Sequence, residues 1–211
     1  MSQNNFENFE YEFFPFIVIG TEMVGKSSLV NRFVDDTYSE NITRTLAIDY
    51  KSKKIYDNNI TKVIRIWDTA GQERFNAITQ GYYRKGDCIL LCFSIINKTS
   101  FENLESYISM IKKYAKSNAL IILVGTHQDK QNIRTISHEE IKEFNKTYNY
   151  EYFEISSKTG VGINELFNRC IELLSKNNKN INYDSDNLML SKDNKIKINK
   201  NTYQYQCCSI S

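Results

Sequence analysis

The 211-residue chain has one proline, eight glycines and a formal charge of only +2, from 27 basic and 25 acidic side chains. So small an excess does not advertise nucleic-acid binding. No run of roughly eighteen apolar residues occurs anywhere, so no membrane-spanning helix is expected. The first twelve residues are acidic and Asn-rich without an apolar stretch, and Ser2 stands where myristoylation needs glycine; neither a secretory signal nor an N-terminal lipid is expected. None of the five cysteines forms a C-x-x-C pair, which removes the usual spacing for zinc or redox chemistry. Cys88, Cys92 and Cys170 sit in apolar or helical patterns and read as reduced, buried thiols of a cytosolic core. The lone Pro15 falls near the start of an apolar run, where a strand tolerates a missing N–H.

What is present is an alternation of short apolar runs and amphipathic stretches. Strands are expected at 13–19, 47–56, 61–67, 88–94, 120–124 and 152–155, and helices at 26–35, 100–116, 137–148 and 164–176, with a further short helix around 74–84. Asn58-Asn59 reads as a hairpin turn, making the second and third strands antiparallel. Ser137 and Glu140 have capping-box spacing. The order implies an α/β fold: one domain over 13–176, built on a six-stranded, mostly parallel sheet with one antiparallel strand and helices on both faces. Residues 1–12 form a short extension, and 177–211, rich in Asn, Lys, Ser and Tyr, form a tail expected to be disordered. Ligands of such sheets bind at the carboxyl ends of the strands, so functional loops should follow strands.

One loop meets that requirement at once. Gly20-Thr21-Glu22-Met23-Val24-Gly25-Lys26-Ser27 fits G-x-x-x-x-G-K-[ST] between the first strand and first helix. Its backbone N–H groups, with that of Ser28, can cradle phosphates at a helix N-terminus. Lys26 reaches the β- and γ-phosphates, and the Ser27 hydroxyl takes Mg²⁺. A second element, Asp68-Thr69-Ala70-Gly71-Gln72, closes the third strand. Asp68 is placed to hold Mg²⁺ through water, Gly71 lets its N–H approach a γ-phosphate, and Gln72 can orient an attacking water.

These motifs make the chain resemble a small GTPase of the Ras superfamily, a single P-loop G domain. Trp67, the run Gln72-Glu73-Arg74-Phe75 with Ile78-Thr79, and Tyr82-Tyr83-Arg84 are similar to the Rab branch. The resemblance covers about residues 13–176. It implies a Mg²⁺-dependent GTP-to-GDP switch in vesicle traffic, with Lys26, Thr45 and Gln72 catalytic and Ser27, Thr45 and Asp68 around the metal. Thr45 matches the first-switch threonine that joins Mg²⁺ and γ-phosphate only in the GTP state, although Leu46-Ala47 stands where the family has Ile-Gly. Tyr38 matches an aromatic that packs on the guanine base. The family's Asn-Lys-x-Asp appears as Thr126-His127-Gln128-Asp129. Asp129 keeps the carboxylate that accepts from N1–H and the exocyclic amine of guanine, a pair of donors adenine lacks. Thr126 is a replacement also found in the Rho branch. His127 replaces a lysine whose stem lies along the base, and an imidazole can stack in its place. Ser156-Ser157-Lys158 resembles Ser-Ala-Lys, with a backbone N–H for the guanine O6 and Lys158 against the base.

Glu22 departs from the small residues the family favours beside the γ-phosphate. A carboxylate there adds repulsion and crowds Gln72, which predicts slow hydrolysis. It is the one support for an alternative reading, a GTP-dependent effector-binding module that hydrolyses slowly. An ATP-using P-loop enzyme such as a small kinase is not expected, for want of a lid segment and of any substrate site beyond the two switches.

Cys207-Cys208-Ser209-Ile210-Ser211 carries two lipidation readings. By resemblance the cysteine pair takes two geranylgeranyl groups; read as C-a-a-X with a final serine, Cys208 takes one farnesyl. The resemblance further implies effectors at the switches, an exchange factor, an activating protein, prenylation, escort and GDP-dissociation-inhibitor proteins, and a monomeric G domain. The implied place is cytoplasmic, peripheral on the cytosolic leaflet of a membrane. The tail holds five lysines and three aspartates, so the whole formal excess lies beside the lipid site, where each lysine adds about 1 kcal/mol of attraction to an anionic leaflet.

Overall fold

A computed structural model describes residues 10–40, 48–57, 60–69, 81–179 and 195–197. The strands are β1 (Glu10–Ile19), β2 (Asp49–Asp57), β3 (Ile60–Asp68), β4 (Cys88–Ser94), β5 (Leu120–Thr126), β6 (Glu151–Glu154) and β7 (Lys195–Lys197). The helices are α1 (Lys26–Asp35), α2 (Lys98–Glu102), α3 (Leu104–Tyr114), α4 (His138–Tyr148) and α5 (Ile163–Lys179), with a 3₁₀ helix at Gln128–Ile133. The first six strands lie in the order β2-β3-β1-β4-β5-β6. All their pairings are parallel except β2 with β3, which runs antiparallel from Asp49↔Asp68 to Asp57↔Ile60. This is the expected α/β sheet, and the connection through 58–59 lies outside the described residues.

Alternation along β1 explains why both faces need helices. Phe14, Phe16 and Val18 point to one side, where Leu29 and Phe33 of α1 and Phe167, Cys170 and Leu174 of α5 cover them. Ile17 and Ile19 point to the other, against Leu104, Tyr107, Ile108 and Ile111 of α3 and Ile141 of α4. β4 is buried along its whole length, as a central parallel strand should be. Phe167 stacks on Phe33 at 3.6 Å between ring centroids and meets Phe16 at 5.4 Å. Burying such a ring is worth about 1.5–3 kcal/mol, so these rings help to anchor α1 and α5 within a largely aliphatic cluster. Cys88, Cys92 and Cys170 are buried free thiols, as their patterns suggest.

Several boundaries differ from expectation for local reasons. The helix expected at 100–116 begins earlier, because the Asn97 side chain caps it by accepting from Ser100 N–H, and it is divided at Asn103, which keeps helical dihedrals (φ −74°, ψ −9°). The Ser137 and Glu140 capping box forms on both sides, at 3.1 and 2.9 Å. Of the short helix expected at 74–84, residues 81–83 are helical and the earlier part lies outside the described residues.

Two elements run past the expected ends of the domain. Glu10 to Glu12 belong to β1, because β3 continues beside them from Ile60. α5 runs three residues past Lys176. β4 pairs with β1 only from Phe16 onward, which leaves the other edge of Glu10 to Glu12 open, and β7 takes it in antiparallel register, Glu10↔Lys197 and Glu12↔Lys195. This register sets acidic positions of β1 opposite basic ones of β7.

Gly20 is where the sheet is least forgiving. Its φ is +140°, and a Cβ built there would sit 2.1 Å from the Cys92 carbonyl oxygen, whereas at Gly160 (φ +85°) a Cβ meets nothing within 4 Å. Gly20→Ala is expected to cost about 2–3 kcal/mol and Gly160→Ala about 1 kcal/mol. Denaturant midpoints of the two variants against the parent check the difference.

Candidate functional site

The carboxyl ends of β1, β3, β5 and β6 open on one edge of the sheet, and four loops leave from it. The first runs from Gly20 to the start of α1. Gly25 caps that helix in the left-handed region (φ 92°, ψ 21°) and provides no side-chain cap, leaving the first N–H groups of α1 directed into the loop. Lys26 is only 5% exposed, and its Nζ donates to the carbonyls of Gly20 and Thr21 at 2.6 and 2.9 Å. The ammonium thus bridges both arms of the loop, a desolvated cation at the helix's positive end. Thr21 Oγ1 is buried without a hydrogen-bond partner; inside a cradle of donors this is a polar atom placed for an anion. Met23 (φ 63°) is the residue turned outward, 63% exposed, while Glu22 is half-buried.

β3 delivers Asp68 and Thr69 beside this loop. Asp68 pairs with Val18 in the sheet register and is 3% exposed, and the Thr69 hydroxyl donates to the Val18 carbonyl at 2.8 Å. Ser27, in the first turn of α1, is half-buried. One hydroxyl and one carboxylate are hard oxygen donors, too few for an all-protein cage. The set fits Mg²⁺, which keeps most of its shell for water and phosphate oxygens.

The third and fourth loops are locked to each other and to the first. Thr126 Oγ1, buried at the end of β5, donates to Val24 O at 2.6 Å and lies 3.1 Å from Phe93 O. Ser156 is fully buried, and its hydroxyl donates to Asp129 Oδ1 at 2.7 Å and accepts from Thr159 N–H at 3.1 Å. That contact fixes the direction of an exposed carboxylate, while Gln128 N–H bonds Ile155 O at 3.0 Å. Lys158 is exposed and pairs with Glu40 at 2.8 Å; each lowers or raises the other's pKa in the sense that keeps both charged. Tyr38 stands on the same segment as Glu40, 37% exposed.

The structure therefore brings together Gly20–Ser28, Tyr38, Asp68, Thr69, Thr126–Asp129 and Ser156–Lys158. Thr45, Ala70, Gly71 and Gln72, together with Leu46, Ala47, Cys207 and Cys208, lie outside the described residues. Two participants carry no sequence motif. Arg32 of α1 donates from Nε to Ser157 O at 2.7 Å and from Nη2 to Lys158 O at 3.0 Å, holding the fourth loop from 125 residues away in sequence. Ser94, ending β4, places its hydroxyl 2.9 Å from Nδ1 of His127. An arginine inside a helix and a serine ending an apolar strand are too common to stand out; only the fold joins them to the site.

A model of the Ras family matches residues 15–176. Over 168 residues the chain is 35% identical to Ras-related protein Rab-3C of Bos taurus, covering 80% of this chain and 74% of that protein. It is equally similar to Ras-related protein Rab-3A of Homo sapiens, with 80% and 76% covered. It is 41% identical over 160 residues to Ras-related protein Rab-1 of Theileria parva, with 75% and 73% covered.

The half-buried placement of Glu22 beside the anion cradle gives the first test of the site. Single-turnover GTP hydrolysis of Glu22→Ser is expected to exceed that of the parent by about tenfold, the effect of roughly 1.4 kcal/mol of relieved repulsion. Equal rates would remove Glu22 from the account.

Proposed function

Because the chain belongs to the Ras family, in its Rab branch, we infer that the edge built by Gly20–Ser28, Asp68, Thr126–Asp129 and Ser156–Lys158 is its guanine-nucleotide site. As a Rab-type GTPase the protein binds guanine nucleotide, hydrolyses GTP and acts in vesicle traffic; the slow-hydrolysing binding module is not favoured. The observation that carries the site assignment is the bond from Thr126 Oγ1 to Val24 O, which ties the phosphate loop to the base loop.

The residues divide the work as follows. N–H groups of the loop and of the α1 terminus receive the α- and β-phosphates, and Lys26, already held across the loop, neutralises the β- and γ-phosphates. Ser27 and Asp68, with Thr45 from the first switch, would hold Mg²⁺, which when bound offsets charge on the β- and γ-oxygens. Gln72 orients the attacking water. Asp129, aimed by Ser156, accepts from guanine N1–H and its exocyclic amine, and the Ser157 backbone region, fixed by Arg32, receives O6. Lys158 and Tyr38 flank the base. Thr45 and Gln72 belong to the switches, which order around the γ-phosphate and relax on hydrolysis. Effectors, exchange factors and activating proteins act on this cycle.

Titration with GTP, GDP and ATP checks the base assignment. Guanine nucleotides are expected to bind at least about 10³-fold tighter than ATP, since adenine leaves the aimed Asp129 carboxylate without its two donors. ATP binding as tight as GTP would overturn it.

The localisation reading rests on Cys207 and Cys208. No helix among the described residues is long and apolar enough to cross a membrane, and two prenyl chains give stable residence where one gives reversible contact. The expected state is peripheral on the cytosolic leaflet, with prenylation and escort proteins as partners. Intact mass of protein from its native cell should carry two geranylgeranyl groups; one farnesyl with Ser209 to Ser211 removed selects the C-a-a-X reading, and an unmodified mass removes both.

A further inference from the structure

His127 is tied into the base loop through a nitrogen of its ring. Its backbone is left-handed (φ 64°, ψ 34°), which sets the ring by main-chain geometry. Nδ1 lies 2.9 Å from Ser94 Oγ and 3.0 Å from Thr126 Oγ1. Thr126 has a single hydroxyl hydrogen, and its shortest contact is to Val24 O, which only accepts. Toward His127, Thr126 Oγ1 therefore presents a lone pair, which assigns the hydrogen to Nδ1 in the tautomer that satisfies this contact and, with Ser94 Oγ accepting, the one to β4 as well. The neutral ring is the Nδ1–H tautomer, with the basic lone pair on Nε2. The carbon between the two nitrogens, Cε1, lies 3.6 Å from where a Cβ on Gly25 would be, so this ring edge rests against the last glycine of the phosphate loop.

The charges around the ring are unequal. Burial and Lys130 hold its pKa below the ordinary histidine value, with Asp129 opposing them. The phosphate-loop side contributes the positive end of α1 and Lys26, while β4 contributes only the neutral Ser94. Every positive group opposes a second proton. Phosphates in the loop reverse that balance on the Gly25 side.

We propose that His127 is a positioning residue that ties the base loop to β4 and the phosphate loop and makes nucleotide retention proton-dependent, Nε2 taking up a proton when nucleotide occupies the loop. The proposal rests on the guanine-nucleotide reading of this edge. Its sign follows from linkage: a group that holds its proton better in the bound state makes the bound state more stable as pH falls. GDP is retained longer near pH 5.5 than near pH 7.5. A lysine in this position is charged throughout that range and offers no such response.

The chain has two histidines, and the other, His138, has a side chain 66% exposed, so two ring Cε1–H resonances suffice. In the GDP-bound full chain, the resonance missing from His127→Gln is expected to titrate above the ordinary midpoint of about 6.5. GDP release from the parent is expected to be about tenfold slower at pH 5.5 than at pH 7.5. His127→Lys should give a flat profile, and Ser94→Ala should reduce retention at both pH values without flattening it. A midpoint at or below the ordinary value, or the same pH profile in His127→Lys as in the parent, overturns the proposal. Failure of GDP to bind parent and variants at any pH would instead overturn the nucleotide reading.

Discussion

The turn at Gly20 is the constraint on which the rest of the site depends. The chain leaving β1 passes so close over the end of β4 that no side chain fits between Gly20 and the Cys92 carbonyl. That approach fixes where the phosphate loop starts, and Gly25 fixes where α1 takes over. Between them the loop has no freedom to drift away from the sheet. Thr69, just past β3, and Thr126 on β5 then bond carbonyls of Val18 and Val24 on either side. Neighbouring strands thus position the cradle by contacts to its main chain, leaving its N–H groups for a ligand.

The energetic scales of core and edge differ. The two faces of the sheet bury rows of Phe, Ile and Leu, each worth about 1.5–3 kcal/mol. The loops are joined by single hydrogen bonds with a net value of about 1 kcal/mol each. Changes in the loop edge can therefore cost function while leaving the core intact, and loop rearrangement during a reaction cycle does not draw on the stability of the sheet. Arg32 is an exception, since its guanidinium extends from a helix anchored by Phe33 and so couples the fourth loop to the aromatic core.

Most of the fold was legible in the sequence because it rests on local signals. The period of two in β1, the Ser137 and Glu140 spacing, and the glycine pattern at 20 and 25 each name their own structure. The phosphate loop, Asp68, Thr126, Asp129 and Ser156 were legible for the same reason, being motifs with fixed spacing at strand ends. What escaped was non-local. Nothing near Arg32 indicates Ser157, and nothing near Ser94 indicates His127. His127 itself could be placed by motif, but its tautomer follows only from the competing claims on Thr126. Asn97 was missed because the apolar period begins after the cap. The β7 pairing was hidden because Lys-Ile-Lys in a polar tail has no strand signal until the open edge of β1 is known.

That pairing also sets a length. Cys207 lies 28 positions beyond Lys179 but only ten beyond Lys197. A fully extended chain spans roughly 3.5 Å per residue, so the C-terminal cysteines can reach about 100 Å from the end of α5, but only about 35 Å from the sheet edge while β7 stays on β1. Three residues of strand convert a long tether into a short one. Under the proposed lipidation of Cys207 and Cys208, the distance at which the domain meets partners above a bilayer would be decided by whether Glu10 to Glu12 keep hold of Lys195 to Lys197.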